Sequence, residues 1–473
     1  MKTYFNFGIV DIHRLAKMCG GTVRTSSLAP SELTGICTDS READENTLFC
    51  AIRGERVDGH DYISAAIGQG CRAILCEEYR EEITAAHADA IIVDNVVESL
   101  SRLAYSYRMS LHCKTVAVTG SVGKTTTKDM IDAVLAARFP SFKTKGNFNS
   151  VIGMPLSMLE IPNNTSYAVL EMGMSGFGEI ERLSRTAEPD IAIITTIGTS
   201  HMEKLGSREN ICRAKLEVLC GLKRGGTLLL NGDEPLLSRV NGKSYNTLYI
   251  STERENADFY AKNIKVTADG TTFDIVHEGQ TVRDLSVRVV GRHNVYSALF
   301  AFAVGSLAGM REDEIRAGLL RFAPEELRQN IVSVGHFTVM EDCYNASPES
   351  MKAAIDVLEA YARLTGGRSV AVLGNMLELG EESAALHRQV GAHLAKKGIE
   401  KLVALGEGGE HIAVGAKQCG MRGERIDEWS DADDTEGIGE HLLRILGDGD
   451  VVLFKASRGV RIERLIEYLK AHV

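Results

Sequence analysis

Residues 115–129, TVAVTGSVGKTTTKD, constrain this chain more than any other stretch. An apolar run, Val116-Ala117-Val118, breaks at Gly120-Ser121-Val122-Gly123 and continues into Lys124-Thr125-Thr126-Thr127. That order spells a strand, a tight glycine turn and a helix start, after which Met130, Ile131, Val134 and Leu135 fall on one helical face. Successive backbone N–H groups in such a turn point inward and hold phosphate oxygens, helped by the positive end of the helix. Gly120, Ser121, Val122, Gly123 and Thr126 would form the cradle, Lys124 would reach the β/γ-phosphates, and the Thr125 hydroxyl would sit on Mg²⁺. The usual GxxxxGK[ST] pattern would place a glycine where this chain has Val118. The plain alternative is an ordinary strand-turn-helix corner with a chance lysine; the expectation is use of a nucleoside triphosphate.

At 473 residues the chain should hold about three domains, and 44% hydrophobic with 25% charged residues is ordinary globular composition. A net charge of −11 argues against sequence-independent binding to nucleic acid. It does not exclude a small anionic ligand, because a local nest of N–H groups can hold phosphate in an acidic protein. The ten cysteines are scattered, none forms CxxC, and no Cys/His cluster has zinc spacing, so buried free thiols in a reducing cytoplasm are expected. The opening MKTYFNFGIVDIHRL has no long apolar run, and residues 296–310 are too short and glycine-broken to span a bilayer. A soluble, cytoplasmic, monomeric protein with no membrane partner is expected.

Along the chain, residues 1–96 read as a small α/β unit, with strands near 47–52 and 72–76 around a helix near 60–69. Residues 97–109 read as a helix leading into a larger α/β unit. That second unit, within 97–326, carries the phosphate loop on its first strand, further strands near 166–171, 190–197 and 226–231, and a β-rich section over 246–290. Residues 327–473 alternate again, with strands near 336–341, 368–374, 400–405 and 450–455. Such alternation predicts parallel sheets covered by helices. The expected fold is α/β in three domains: a small N-terminal one, a central ATPase-like parallel or mixed sheet, and a Rossmann-like C-terminal one.

Two residues stand just past carboxyl ends of expected strands, where open α/β sheets bind ligands. Glu171 ends SYAVLE, and His201 follows DIAIITTI through Gly198-Thr199-Ser200. Glu171 suits Mg²⁺ as a hard oxygen ligand; a helix-terminal carboxylate and a satisfied loop histidine are the plain alternatives. Lys215 falls in a helix starting near Ser207, where a solvated lysine is the ordinary reading.

TGSVGKTTTKD, KGNFNSVIGMPLS, EMGMSGFGEIERL, TTIGTSHMEKLGS, AKLE, NGDEP and GRHNVYSAL together resemble the Mur ligase family, ATP-dependent amino-acid ligases of peptidoglycan precursor synthesis. EDCYNASPESM and VAVLGNMLELGEESAALHRQVG resemble those members that join D-alanyl-D-alanine to UDP-N-acetylmuramoyl-tripeptide. The stretch CTDSREADENTLFCAIRGERVDGHDYI resembles the family's UDP-binding region. The resemblance implies ATP and two Mg²⁺ ions, with Thr125, Glu171, His201 and a carbamylated Lys215 as metal ligands. It implies Lys124, His201, Lys215 and Lys455 as catalytic, and places His293, Asn294, Arg328, Asp342 and Tyr344 around the nucleotide. Asp39, Ser40, Arg41, Asp58 and His60 match the uridine-diphosphate end, while Asn149, Asn345 and Ser457 match substrate contacts. Four positions depart from the family's common pattern: Ser150 and Ser347 stand where Asn is usual, Asn375 where Asp is usual, and Leu327 where Gly is usual.

The implied reaction answers a chemical problem. A free carboxylate does not acylate an amine at neutral pH, because its leaving group would be oxide; phosphorylation supplies a good one. The implied three domains would grip the nucleotide sugar, activate the carboxylate and deliver the dipeptide, closing on ligands to exclude water. Other readings are a family member adding the third peptide residue, a folylpolyglutamate synthetase, a phosphate-loop switch or motor acting on a protein partner, and a noncatalytic nucleotide-binding scaffold. The switch and motor readings leave Lys215, GRHN and the N-terminal region without a task, and a scaffold would tolerate loss of Lys124 or Glu171, yet both are present.

Overall fold

The structure, a computed structural model, describes residues 1–26, 32–54, 56–325 and 327–473. Glu55, inside the UDP-like stretch, and Glu326, at the expected second domain boundary, lie outside the described residues.

Three larger sheets follow one another along the chain. In the first, strands Gly35–Cys37, Thr47–Cys50, Ala73–Cys76 and Asp89–Ile92 run parallel in that order, flanked by antiparallel edges Lys2–Tyr4 and Thr22–Arg24. Their side chains are buried on both faces, as parallel strands under covering helices require. The second sheet has nine strands. Its parallel part runs Ser141–Lys143, Tyr167–Glu171, Lys114–Thr119, Ile191–Ile194, Thr227–Asn231, Asn246–Ser251 and Phe259–Thr267. Gly270–His277 and Gln280–Val287 complete it as an antiparallel meander, the β-rich section expected over 246–290. The third sheet orders Asn330–Val334, Phe337–Glu341, Val451–Lys455, Ser369–Leu373, Lys401–Leu405 and Ile426–Trp429, with only the first pair antiparallel.

Helix Val96–Ser110 starts where Asn95 accepts a hydrogen bond from the Glu98 N–H. Its inner residues Leu100, Leu103, Ala104 and Tyr107 join one apolar core that contains Ile36 and Leu75 of the first sheet, Leu170 of the second and Met154 of helix Gly153–Met158. Burying each of the larger side chains contributes about 1.5–3 kcal/mol, partly offset by lost side-chain freedom. The first and second units are therefore joined through shared apolar packing. The third meets the second through polar contacts, in which the Thr199 hydroxyl donates to Glu349 and His201 pairs with Glu378, and through Val290, which packs into the third unit's apolar core.

Eight of the ten cysteines are buried free thiols as expected, but Cys220 and Cys419 are exposed. Among the described residues no helix is long and apolar enough to cross a membrane. The segment 296–310 is mostly helix Asn294–Leu307, buried between the central sheet and its neighbours.

Candidate active site

The parallel register of the central sheet builds the site. Glu171 pairs with Val118 and Ile194 with Thr119, so three strands end side by side at the phosphate loop. Gly120 has φ +144° and Gly123 +84°, both outside the comfortable range of L side chains. A Cβ on Gly120 would lie 1.9 Å from the Thr195 hydroxyl, which itself donates to the Val122 carbonyl at 2.6 Å. Helix Lys124–Leu135 begins directly after Gly123, with no side-chain cap on its first N–H groups. A helix start in this condition attracts anions. The buried Ser121 hydroxyl has no hydrogen-bond partner.

Lys124 folds back over the loop, its ammonium donating to the Gly120 carbonyl at 2.9 Å. Burial pushes its pKa down, against the pull of the Glu171 carboxylate. Glu171 is 1% exposed. One of its oxygens accepts from the Asn149 amide at 2.8 Å, and the other is buried without a hydrogen bond. His201 sits at φ +65° and its Nδ1 lies 2.6 Å from a Glu378 oxygen. With Nδ1–H donating there, Nε2 keeps its lone pair, the arrangement that suits a metal-ligating imidazole.

Lys215 lies in helix Arg208–Leu216, capped by Ser207, and is 2% exposed. Burial, reinforced by the nearby Lys124 charge, drives its pKa well below the ordinary lysine range. Among the described residues its ammonium makes no ion pair. The solvated-lysine reading is thus overturned. A buried lysine poised to be neutral is a nucleophile, which is what carbamylation by CO₂ demands.

All four residues line one cavity of about 820 Å³, together with Thr125, Thr126 and Asn149. The third sheet roofs it. Lys455, 2% exposed, donates to the Asp342 carboxylate at 2.6 Å and to the Asn345 carbonyl at 2.9 Å. The Arg328 guanidinium stacks 3.8 Å from the Tyr344 ring centre, and its buried Nε has no partner. The Gln329 amide donates to His293 Nε2 at 2.6 Å, while its oxygen accepts from Asn294 at 2.9 Å. Burial lowers the His293 pKa, so a neutral imidazole lines this end.

The sequence matches the Mur ligase middle domain over residues 118–305, the Mur ligase glutamate ligase domain over 327–458, and the Mur ligase catalytic domain over 32–108. The UDP-N-acetylmuramoyl-tripeptide--D-alanyl-D-alanine ligase of Bacillus subtilis (strain 168) is 38% identical over 461 residues, covering 97% of this chain and 98% of its own. The chain belongs to the Mur ligase family. Its fold superposes on a crystal structure of MurF from Acinetobacter baumannii with a TM-score of 0.88 at 27% identity, covering 98% and 99% of the two chains. The MurF ligase from Thermotoga maritima in complex with ADP gives 0.81 at 30% identity, covering 92% and 97%.

The Mur ligase residues expected at the nucleotide-sugar end stand apart from this cavity, and most are engaged internally. Asp39 accepts from the Arg41 N–H and pairs with the Arg41 guanidinium, which is itself exposed; Ser40 is buried. Asp58 accepts from both the backbone and the ring of His60. His60, 1% exposed, also accepts the Glu77 N–H at 3.0 Å, so both of its ring nitrogens have partners within the protein. Ser457 does not line the cavity either; its hydroxyl accepts the Leu377 N–H at 2.9 Å.

The four departures from the family pattern have local occupations. Ser150 accepts the Gly153 N–H, Ser347 caps helix Pro348–Thr365, and Asn375 accepts the Gly408 N–H at 2.6 Å. Leu327 takes φ +61°, a conformation that a glycine would adopt without strain.

Sequence reasoning missed Lys128. It is fully buried in the phosphate-loop helix and donates to the Thr144 carbonyl at 2.9 Å. Its ammonium lies 3.4 Å from Asp129, 3.6 Å from Glu325 and 3.8 Å from Glu171. No local signal marked it, because Thr125, Thr126, Thr127, Asp129 and Asp132 around it read as a polar helix face.

Proposed function

We propose that the cavity between the phosphate loop and the third sheet activates a carboxylate with ATP and passes it to a peptide amine. The chain is an ATP-dependent ligase that joins D-alanyl-D-alanine to UDP-N-acetylmuramoyl-tripeptide, a step of peptidoglycan precursor synthesis. The convergence of Lys124, Glu171, His201 and Lys215 on one cavity carries this reading.

The donor set fits Mg²⁺. Glu171 offers a buried oxygen without a hydrogen bond, Thr125 a hydroxyl at the helix start, and His201 an imidazole nitrogen braced from behind by Glu378. Magnesium characteristically takes one or two protein carboxylates and completes its shell with phosphates and water. We assign one ion to Thr125 and Glu171 and a second to His201 and carbamylated Lys215. Carbamylation forms an N–C bond from the neutral Lys215 amine to CO₂, moves one C=O pair onto oxygen and releases a proton. Bound there, the ions supply charge neutralisation and orientation of the phosphates.

The phosphate loop, Gly120 to Thr126, holds the triphosphate, and Lys124 leaves its two carbonyl partners to meet the γ-phosphate. His293 and Asn294 stand at the adenine and ribose end; Arg328, Asp342 and Tyr344 close over the nucleotide. The tripeptide carboxylate attacks the γ-phosphorus and the bond to the bridging oxygen breaks, giving ADP and an acyl phosphate. The dipeptide amine then attacks the acyl carbon, loses one proton, and the tetrahedral adduct expels phosphate. Lys455, fixed by Asp342 and Asn345, puts positive charge beside the departing phosphate. Asn149 orients Glu171.

We divide the chain into a nucleotide-sugar domain over 1–96, an ATP domain over 97–326 and an acceptor domain over 327–473. Asp39, Ser40, Arg41 and Asp58 belong to the nucleotide-sugar domain; His60 acts there by shaping the loop. The protein works as a cytoplasmic monomer, where ATP and UDP-linked substrates meet and its thiols stay reduced. The test is phosphate release from ATP by the purified protein. It should require both substrates, with one amide-linked product per phosphate by mass spectrometry. Phosphate release indifferent to the dipeptide would overturn the assignment.

A further inference from the structure

The incoming dipeptide carries an ammonium group, and none of the roles above gives that cation a partner. Glu349 is half-buried in the cavity wall, in the first turn of helix Pro348–Thr365. Its two oxygens lie 3.1 and 3.3 Å from the Thr199 hydroxyl. Thr199 is two residues before His201, so the carboxylate stands at the edge of the reacting centre. Gly198 makes room for it: a Cβ there would lie 2.8 Å from one Glu349 oxygen.

Of the other cavity carboxylates all but Glu253, which lies past strand Asn246–Ser251 and three strands along the sheet from the phosphate-loop strand, have occupations; Glu179 accepts the Ser175 N–H. Asp342 is matched to Lys455, Glu234 to Arg208 and Glu171 to Lys128. Asp233 accepts from Ser251, Thr252 and Tyr296, past the end of a strand farther along the sheet. Among the described residues, Glu349 has no cationic partner. A carboxylate satisfied by one shared hydroxyl in a cavity lined by Lys124, Lys215, Arg328 and Lys455 needs a cation of its own.

We propose that Glu349 binds the α-ammonium of the incoming D-alanyl dipeptide and sets its nitrogen beside the His201 loop. The proposal rests on the ligase reading and names one contact within it. Glu349 comes from the third sheet's unit and Thr199 from the second. The acceptor's charge would thus be read where the two units meet, coupling dipeptide binding to their closure.

Glu349→Gln separates this role from a structural one, because the glutamine oxygen still accepts from Thr199 but no longer attracts a cation. Charge-assisted hydrogen bonds of this kind typically contribute a factor of about ten to a hundred in affinity. Steady-state kinetics with each substrate varied should show KM for D-Ala-D-Ala rising by about that factor. KM for ATP and for the UDP-linked tripeptide should stay within about twofold. Propionyl-D-alanine, which lacks the amine, should inhibit wild type and variant equally. Glu349→Asp, which keeps the charge, should restore much of the dipeptide affinity. An unchanged dipeptide KM would overturn the proposal. So would an equal rise in all three KM values, which marks a simple inter-domain latch, while amide formation by the variant would leave the ligase reading standing.

Discussion

Lys128→Met should weaken the fold and alter the metal-dependent chemistry. The ammonium is fully buried, with Asp129, Glu325 and Glu171 at 3.4, 3.6 and 3.8 Å. At an effective dielectric of about 20, each such pair is worth roughly 4–5 kcal/mol of direct attraction. Glu325 is 32% exposed, so its share is screened by solvent and counts for less. Much of the remainder offsets the cost of taking Lys128 out of water. Removing the cation alone leaves Glu171 buried with one partner fewer and an oxygen without a hydrogen bond, while Asp129 keeps Lys143 at 2.8 Å. A loss of about 3–5 kcal/mol follows, typical of breaking a buried pair from one side. Methionine fills most of the volume, so cavity formation adds little. Urea unfolding of the variant should show that loss. Glu171 would also lose a competing cation, so the Mg²⁺ concentration for half-maximal rate should fall. Stability within about 1 kcal/mol of wild type and an unaltered Mg²⁺ requirement would refute the argument.

Lys215→Ala should cut ligation at least about a hundredfold, and ¹³C-bicarbonate should give a carbamate resonance in the wild type that is absent from the variant. Because burial lowers the Lys215 pKa, the unfolded chain binds a proton that the folded chain lacks between the folded value and about 10.4. Stability from this group therefore rises with pH across that window and is lowest, and constant, below the folded value; hydrogen exchange of helix Arg208–Leu216 in wild type and Lys215→Met checks the sign. Glu378→Ala removes the brace on His201 Nδ1 and should lower kcat or apparent metal affinity about 10–100-fold with little change in the melting transition. Gly120→Ala, with its Cβ 1.9 Å from the Thr195 hydroxyl at φ +144°, should abolish ATP binding measured by calorimetry.

What the sequence disclosed follows from how parallel sheets work. Glu171 and His201 were legible because the first ends an apolar run and the second follows one through a short turn, and register then carries both strand ends to the phosphate loop. Short edge strands such as Ser141–Lys143 escaped, since three residues carry no period. Lys128 escaped for a different reason. A charged residue in a helix ordinarily marks the solvent face, but helix Lys124–Leu135 is enclosed by the sheet and by helices Asn294–Leu307 and Glu312–Arg321. Periodicity sees one apolar face and cannot see the elements that cover the other. His60 shows another limit: a motif match carries no sign of the partners its ring finds, Asp58 and the Glu77 N–H.

Glu349 and Glu378 mark the limit of reading along the chain. Their partners, Thr199 and His201, are 150 and 177 residues away, and no local pattern pairs them. Yet these two contacts place a metal-ligand candidate from one unit under the control of a carboxylate from another. A site assembled this way is complete only when the two units are apposed. Acyl phosphate formed in the open form would meet water before it met an amine. Tying both His201 and the acceptor's charge to the third unit makes the apposition that completes the metal site the same one that delivers the nucleophile.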